Sequence, residues 1–360
     1  MTDIFDPNQA SPKDFFIVGN AYFLGKTVKS NIKKALKYWE LAAEKGHVEA
    51  RFHLSFVYML GEVVNEDLVK SHDWLLKAAQ SGHVKAQVVL ADAYRCGEPY
   101  GQKNLDQAIK WYESAADLGL LEAQLKLANM YTGKEEIEQN TKLAIKYWQM
   151  AAKQDHKDSQ FNLGLVFHNG NGVEKDEAQA VKYWLMAAEK GLLVAKFCLG
   201  RAYLKGEGVK QDSVQGLKYW QQAAEAGYIP AQSHLANAYY TGLGIEKNFL
   251  LAAHYFGLAA HQGDAQSQRI LSAMYLMGHG VEKDLEKALK YLRQAVDQGD
   301  PLAIASLGNC YFHGEGVERD LDKAVKYWQL AAEKGHAPTQ EKLQTLGVLP
   351  SPKKPSRPIH

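Results

Sequence analysis

Thirteen histidines and three cysteines have the widest chemical range in this 360-residue chain, and their spacing decides what they can do. A tetrahedral metal ion gathers its nitrogen and sulfur donors within about 2.0–2.3 Å, and chains meet that demand with close ligand pairs such as C-x2-C or H-x3-H. Four of the histidines, His47, His83, His156 and His336, instead share one position of a long repeating phrase, each in a different copy. Packed helices lie about 8–10 Å apart, so residues a whole copy apart do not converge on one ion. Cys96, Cys198 and Cys310 are odd in number and lie in different copies, so no disulfide framework is implied. The G-x-G dipeptides that start at Gly170, Gly206, Gly242, Gly278 and Gly314 lack the preceding strand and third glycine of a dinucleotide loop. No G-x-S-x-G, H-E-x-x-H or phosphate-loop signature occurs. Asp92, Arg95, Asn129, His168 and Arg201 are the nearest approach to a polar catalytic set, and their spacing matches no known constellation. The expectation is a chain without enzymatic activity, cofactor or metal.

The elements that position these residues are written in the repeat itself. YWELAAEKGH at 38–47 returns as YWQLAAEKGH at 327–336. The Ala-Ala step inside the phrase recurs at Ala42, Ala78, Ala115, Ala151, Ala187, Ala223 and Ala259, and the series closes at Ala295 and Ala331; every step is 36 residues except one of 37. A period of this length marks a solenoid, a propeller or an array. Apolar and small residues fall at i, i+4 and i+7, the spacing of a helix face rather than the alternation of a strand. Each copy therefore predicts two helices, A and B. A glycine ends helix A in every copy, from Gly25, Gly61 and Gly97 to Gly314, and an Asp or Asn follows six or seven residues later, from Asn31 and Asp67 to Asp320. The glycine supplies the left-handed stop, and the Asp or Asn supplies an N-cap for helix B worth about 1 kcal/mol. Ser11-Pro12-Lys13-Asp14 predicts a capping box that opens the first copy. After the ninth phrase, PTQEKLQTLGV at 338–348 places Thr339 and Leu343 in the helix A register with no helix B behind them, as expected for a terminal capping helix.

AIASLGNCYFHGEGVERDLDKAVKYWQLAAEKG, residues 303–335, resembles the Sel-one-like repeat, a relative of the tetratricopeptide repeat, and the likeness extends over about residues 12–346. The resemblance implies an all-α, right-handed α-solenoid of nine two-helix repeats of about 36 residues plus a C-terminal capping helix. The divisions are then a short lead at 1–11, the solenoid at 12–348 and a Pro/Lys-rich tail at 349–360. Members of the family are typically adaptors and scaffolds, so the resemblance implies a protein–protein interaction scaffold, or a regulatory, effector or immunity-type protein that binds one specific enzyme. The chain departs from the pattern in its first four copies, which read GKTV, GEVV, GEPYG and GKEEI where later ones carry G-x-G-V, and at Asp155, which replaces the glycine after helix B.

Lysine plus arginine number 42 against 41 acidic residues, for a formal charge of +1 without a basic stripe, so nucleic acid is not an expected partner. No apolar run approaches the roughly 18 residues of a membrane span. MTDIFDPNQASPK lacks a signal peptide's basic and apolar regions, so a reduced, cytoplasmic monomer is expected, with signal-independent export as the alternative. PSPKKPSRPIH, residues 350–360, carries overlapping P-x-x-P, readable as a polyproline ligand or as a solvated end.

If constant positions build the scaffold, function belongs where the copies differ. Three variable positions of helix A lie two before, two after and five after its Leu-small pair, on one side of the helix. They carry Phe16, Asn20 and Phe23; Phe52, Phe56 and Met59; Asp92 and Arg95; Asn129; Phe161 and His168; Phe197 and Arg201; and Asn237 and Tyr240. By analogy with tetratricopeptide solenoids this side lines a concave surface. Its aromatics are expected to anchor a partner peptide or helix, or else to pack between neighbouring A helices. Asn20, Asn129, Asn237 and Asn309 either pair with an extended ligand backbone or are tolerated surface residues.

Overall fold

The computed structural model describes residues 9–348, apart from residue 102 and residues 135–136, and no strand occurs among the described residues. The lead before residue 9 and the Pro-rich tail lie outside them. The chain forms two compact units, Met1–Lys175 and Asp176–His360. The first holds α1 (Pro12–Leu24), α2 (Ile32–Glu44), α3 (Val48–Leu60), α4 (Leu68–Gln80), α5 (Val84–Cys96), α6 (Leu105–Asp117), α7 (Leu121–Asn129), α8 (Thr141–Ala152) and α9 (Lys157–Asn169). The second holds α10 (Glu177–Glu189), α11 (Leu193–Lys205), α12 (Ser213–Glu225), α13 (Ile229–Thr241), α14 (Phe249–His261), α15 (Ala265–Met277), α16 (Leu285–Asp297), α17 (Pro301–His313), α18 (Leu321–Glu333) and α19 (Ala337–Thr345). Odd numbers are A helices and even numbers B helices, and the single A-type helix α19 follows the last B helix. In each unit a helix packs on the one before it and the one after it.

The predicted punctuation is present. Every B helix is capped by the Asp or Asn named above, whose side chain accepts from the backbone three residues on, as at Asn31 to Lys34 and Asp320 to Lys323. Ser11 and Asp14 form the reciprocal capping box. Thr339 and Leu343 of α19 are buried, as their register requires. Asp155 adopts the left-handed backbone of the glycine it replaces, at φ 62°. The fourth copy differs from its neighbours: Gly133 comes six residues after Leu127 rather than seven, and the chain leaves α7 through a kinked turn, Met130–Lys134, with Gly133 at φ 76° inside it.

Two contacts repeat along the core. The glycine of the Leu-small pair in helix A lies against the tryptophan of helix B: a Cβ on Gly19, Gly200 or Gly308 would stand 2.4, 2.2 or 2.6 Å from Trp39, Trp220 or Trp328. At the joint between copies, the fourth residue of helix A reaches back to the last turn of the preceding helix B. Gln87, Gln124, Gln160, Gln232, Gln268 and Gln340 each donate Nε2 to an alanine carbonyl at 3.0–3.2 Å, and Arg51 Nε does the same to Ala43 at 2.9 Å. Each of these carbonyls also accepts the backbone amide three residues on, as Ala79 does from Gly82, so the side chain from the next copy fills its second lone pair.

Candidate functional site

Histidine shapes the start of the A helices, a role that its position after helix B did not disclose. The Nδ1 of His47, His83 and His156 accepts from the backbone amides of Ala50, Ala86 and Ser159 at 3.0–3.2 Å, so each is an N-cap. With Nδ1 accepting, the ring proton of His83 sits on Nε2, 3.0 Å from Glu49 of the preceding copy. The same column carries Asp264 and Asp300, which cap α15 and α17, and this substitution was the available signal.

The variable phenylalanines rest on that column. Phe16 stacks on His47 with centroids 4.6 Å apart, and Phe52 stacks on His83 at 4.2 Å while meeting Phe56 edge-on at 5.0 Å. Phe16 also lies 6.2 Å from His53, which places the first two A helices side by side. In the second unit, Phe197 contacts Trp220, Tyr228 and His234. Phe23 leans on Trp39 at 5.2 Å and remains 42% exposed. Met59, Phe161, His168 and Arg201 are half-buried, whereas Asn129 and Asn237 are exposed.

The position two after the leucine is matched to helix B. Asn20 Oδ1 accepts the Trp39 indole N–H at 2.9 Å, and Asn309 accepts that of Trp328 at 3.1 Å. Where helix B carries Tyr112 instead, the position holds Asp92, which accepts the Tyr112 hydroxyl and binds Lys126 Nζ at 2.6 and 2.9 Å. Burial first, and then the bond to Asp92, push the Tyr112 hydroxyl pKa well above its usual value, while Arg95 opposes the shift. Asp92 and Arg95 are thus brought together around a neutral phenol, an arrangement that braces two helices. Among the described residues, no group of three or more His, Cys, Asp or Glu side chains is placed to hold a metal ion.

The histidine caps make the first copies sensitive to acid. His47 and His53 have pKa values held below the ordinary 6.5, chiefly by burial, with Glu49 opposing in both. A base depressed in the folded state stabilises it above the unfolded pKa, near 6.5, and that contribution is lost as pH falls below it. Amide exchange at pH 7.5 and 5.0, corrected for intrinsic rates, should therefore show α3 losing protection while α15, capped by Asp264, keeps it. Equal behaviour of the two helices would contradict the cap assignment.

Among the described residues, no helix is long and apolar enough to cross a membrane. The Sel1 repeat matches the chain nine times, over residues 16–47, 48–83, 84–120, 121–156, 157–192, 194–228, 229–264, 265–300 and 301–336. No curated protein matches it. Among solved structures, a Sel1 repeat protein from Oxalobacter formigenes is 30% identical with a TM-score of 0.62, over 84% of this chain and 87% of that one. A protective antigen of uropathogenic Escherichia coli with an SLR fold is 26% identical with a TM-score of 0.64, over 95% and 81%. Nine consecutive matches spanning residues 16–336 show that the chain belongs to the Sel1 repeat family.

Proposed function

We propose that the chain is a protein-interaction scaffold that receives a partner peptide or helix on the variable side of its first A helices. The observation that carries this reading is the aromatic surface of the first two copies. Phe23 stands 42% exposed above Trp39, and on α3 Met59 at the matching position and Phe56 three residues before it are half-buried. Exposed aromatics held by a rigid layer beneath them make anchors of low entropic cost. Phe16 and Phe52 belong to that layer, since each rests on the capping histidine of the next copy. Asn20 and Asn309 have their carbonyl oxygens committed to indoles, so the anchoring falls to the aromatics rather than to an asparagine ladder.

The test pairs wild type with a Phe23→Asp, Phe56→Asp variant in affinity capture from host lysate, read by mass spectrometry. A partner enriched at least tenfold by wild type and lost by the variant, with helical circular dichroism unchanged, is the expected outcome. Identical capture by both proteins would remove the binding surface from these copies.

A further inference from the structure

One set of four positions recurs where a helix pair meets the loop of the next copy. It comprises the residue five after the helix A leucine, the first residue of helix B, the aromatic eight after the helix B cap, and the middle residue of the next G-x-G loop. Between the seventh and eighth copies these are Tyr240, Phe249, Phe256 and His279, which form a closed aromatic cluster. Tyr240 and Phe249 lie 5.2 Å apart, Phe249 stacks on His279 at 4.9 Å, and Tyr240 meets Phe256 at 6.5 Å. Between the sixth and seventh copies Leu204 fills the corresponding space, reaching within 3.6 Å of where a Cβ on Gly244 would lie. Between the fourth and fifth copies the four positions hold Thr132, Thr141, Trp148 and Asn171. There they line a cavity of about 430 Å³ together with Gln139 and Val166.

The cause is local. With one residue fewer before Gly133 the chain turns through the kink at Met130–Lys134, and the Thr132 hydroxyl folds back to bond the Asn129 carbonyl at 2.6 Å. It therefore does not reach into the space that Leu204 and Tyr240 fill in their copies. The volume falls in the range of about 300–1,000 Å³ usual for ligand sites. Among the described residues no lining side chain is charged, so these offer an ionic group no counter-charge. Trp148 offers a ring for offset or edge contact, and Gln139, Thr141 and Asn171 offer neutral hydrogen bonds to backbone flanking an inserted side chain.

We propose that this cavity takes an aromatic side chain of a protein partner, in the place where the later copies insert their own rings. The assignment rests on the scaffold reading, and it adds a specificity pocket between the fourth and fifth copies, apart from the aromatic surface of the first two.

The test titrates isotope-labelled full-length protein with acetyl-Gly-X-Gly-amide peptides in which X is Tyr, Phe, Ala or Glu, and with methyl N-acetylglucosaminide. The readout is the Trp148 indole N–H and the Val166 methyl resonances. Saturable shifts with Tyr and Phe, at least tenfold weaker with Ala and Glu, are expected. Thr132→Tyr, and separately the exposed-loop change Asn171→His, restore residues of the filled cluster and should abolish the shifts while keeping spectral dispersion. Absence of shifts with every peptide, binding of the saccharide alone, or undiminished Tyr-peptide binding in both variants would overturn the proposal. Failure of the pocket and of the scaffold reading are separable. Missing peptide shifts beside Phe23- and Phe56-dependent capture remove the pocket alone, and specific shifts without any captured partner support the pocket while removing the scaffold.

Discussion

Trp39→Ala will destabilise the first two copies by about 3–5 kcal/mol, the usual cost of deleting a fully buried large aromatic. Trp39 is 0% exposed, its indole donates to Asn20, and its ring meets His53 at 4.3 Å and Phe23 at 5.2 Å. The change therefore empties the centre of α1–α3 rather than a surface niche. Because repeat arrays respond locally, the loss should appear as amide protection in α1–α3 falling by roughly two to three powers of ten, since each 1.4 kcal/mol is tenfold. Copies in the second unit should keep their protection. A uniform loss across all helices would show that the array unfolds as one cooperative body.

The second large effect concerns a residue with no side chain. Gly200→Ala should cost about 2 kcal/mol, although alanine is favoured over glycine inside a helix by about 1 kcal/mol. The added Cβ would lie 2.2 Å from Trp220 Cδ1, and that indole is fixed by its own bond to the Phe197 carbonyl at 3.0 Å. In a Trp220→Phe background the sign should reverse, because the chain already places Ala236 opposite Phe256 in the same columns. The double variant should then be the more stable of the two that carry Trp220→Phe, by about the 1 kcal/mol of helix propensity. Strictly additive costs in thermal unfolding would deny the coupling.

This pairing shows what one sequence discloses and what it hides. Helix boundaries were legible because caps and stops act within three or four residues, as at Asn31, Gly25 and Ser11. The terminal helix was legible because Thr339 and Leu343 kept the register of the copies before it. The Asn20–Trp39 bond was not, since its partners are 19 residues apart on separate helices and one member taken alone is an ordinary polar residue. The columns held only part of that information: Gly19, Gly200 and Gly308 stand opposite Trp39, Trp220 and Trp328, but Ala128 stands opposite Trp148, and Asp92 beside Tyr112 is a single instance. His47 and His83 were set aside as poor metal ligands, a reading confined to what histidine does to ions. In the fold their lone pairs serve the backbone and their faces carry Phe16 and Phe52. The cavity beside Trp148 was hidden for another reason: GKEEI and the short Leu127–Gly133 spacing mark an altered turn, but not which side chains it leaves facing an open space.

The glutamine clasp between copies asks almost nothing of its neighbour. Gln87, Gln160 and Gln268 each bond a main-chain carbonyl, and the alanine that provides it is common to nearly every phrase. That bond reads backbone alone, whereas pairs such as Lys126 with Asp92 and Gln154 with Gln124 tie particular copies together. A copy joined by the clasp alone can be duplicated or deleted in whole multiples of the period, while one that carries Asp92 or Lys126 needs its partner moved with it. The clasp thus lets the number of copies set the reach of the array, while the aromatic positions of α1 and α3 and the open site beside Trp148 make individual copies distinct.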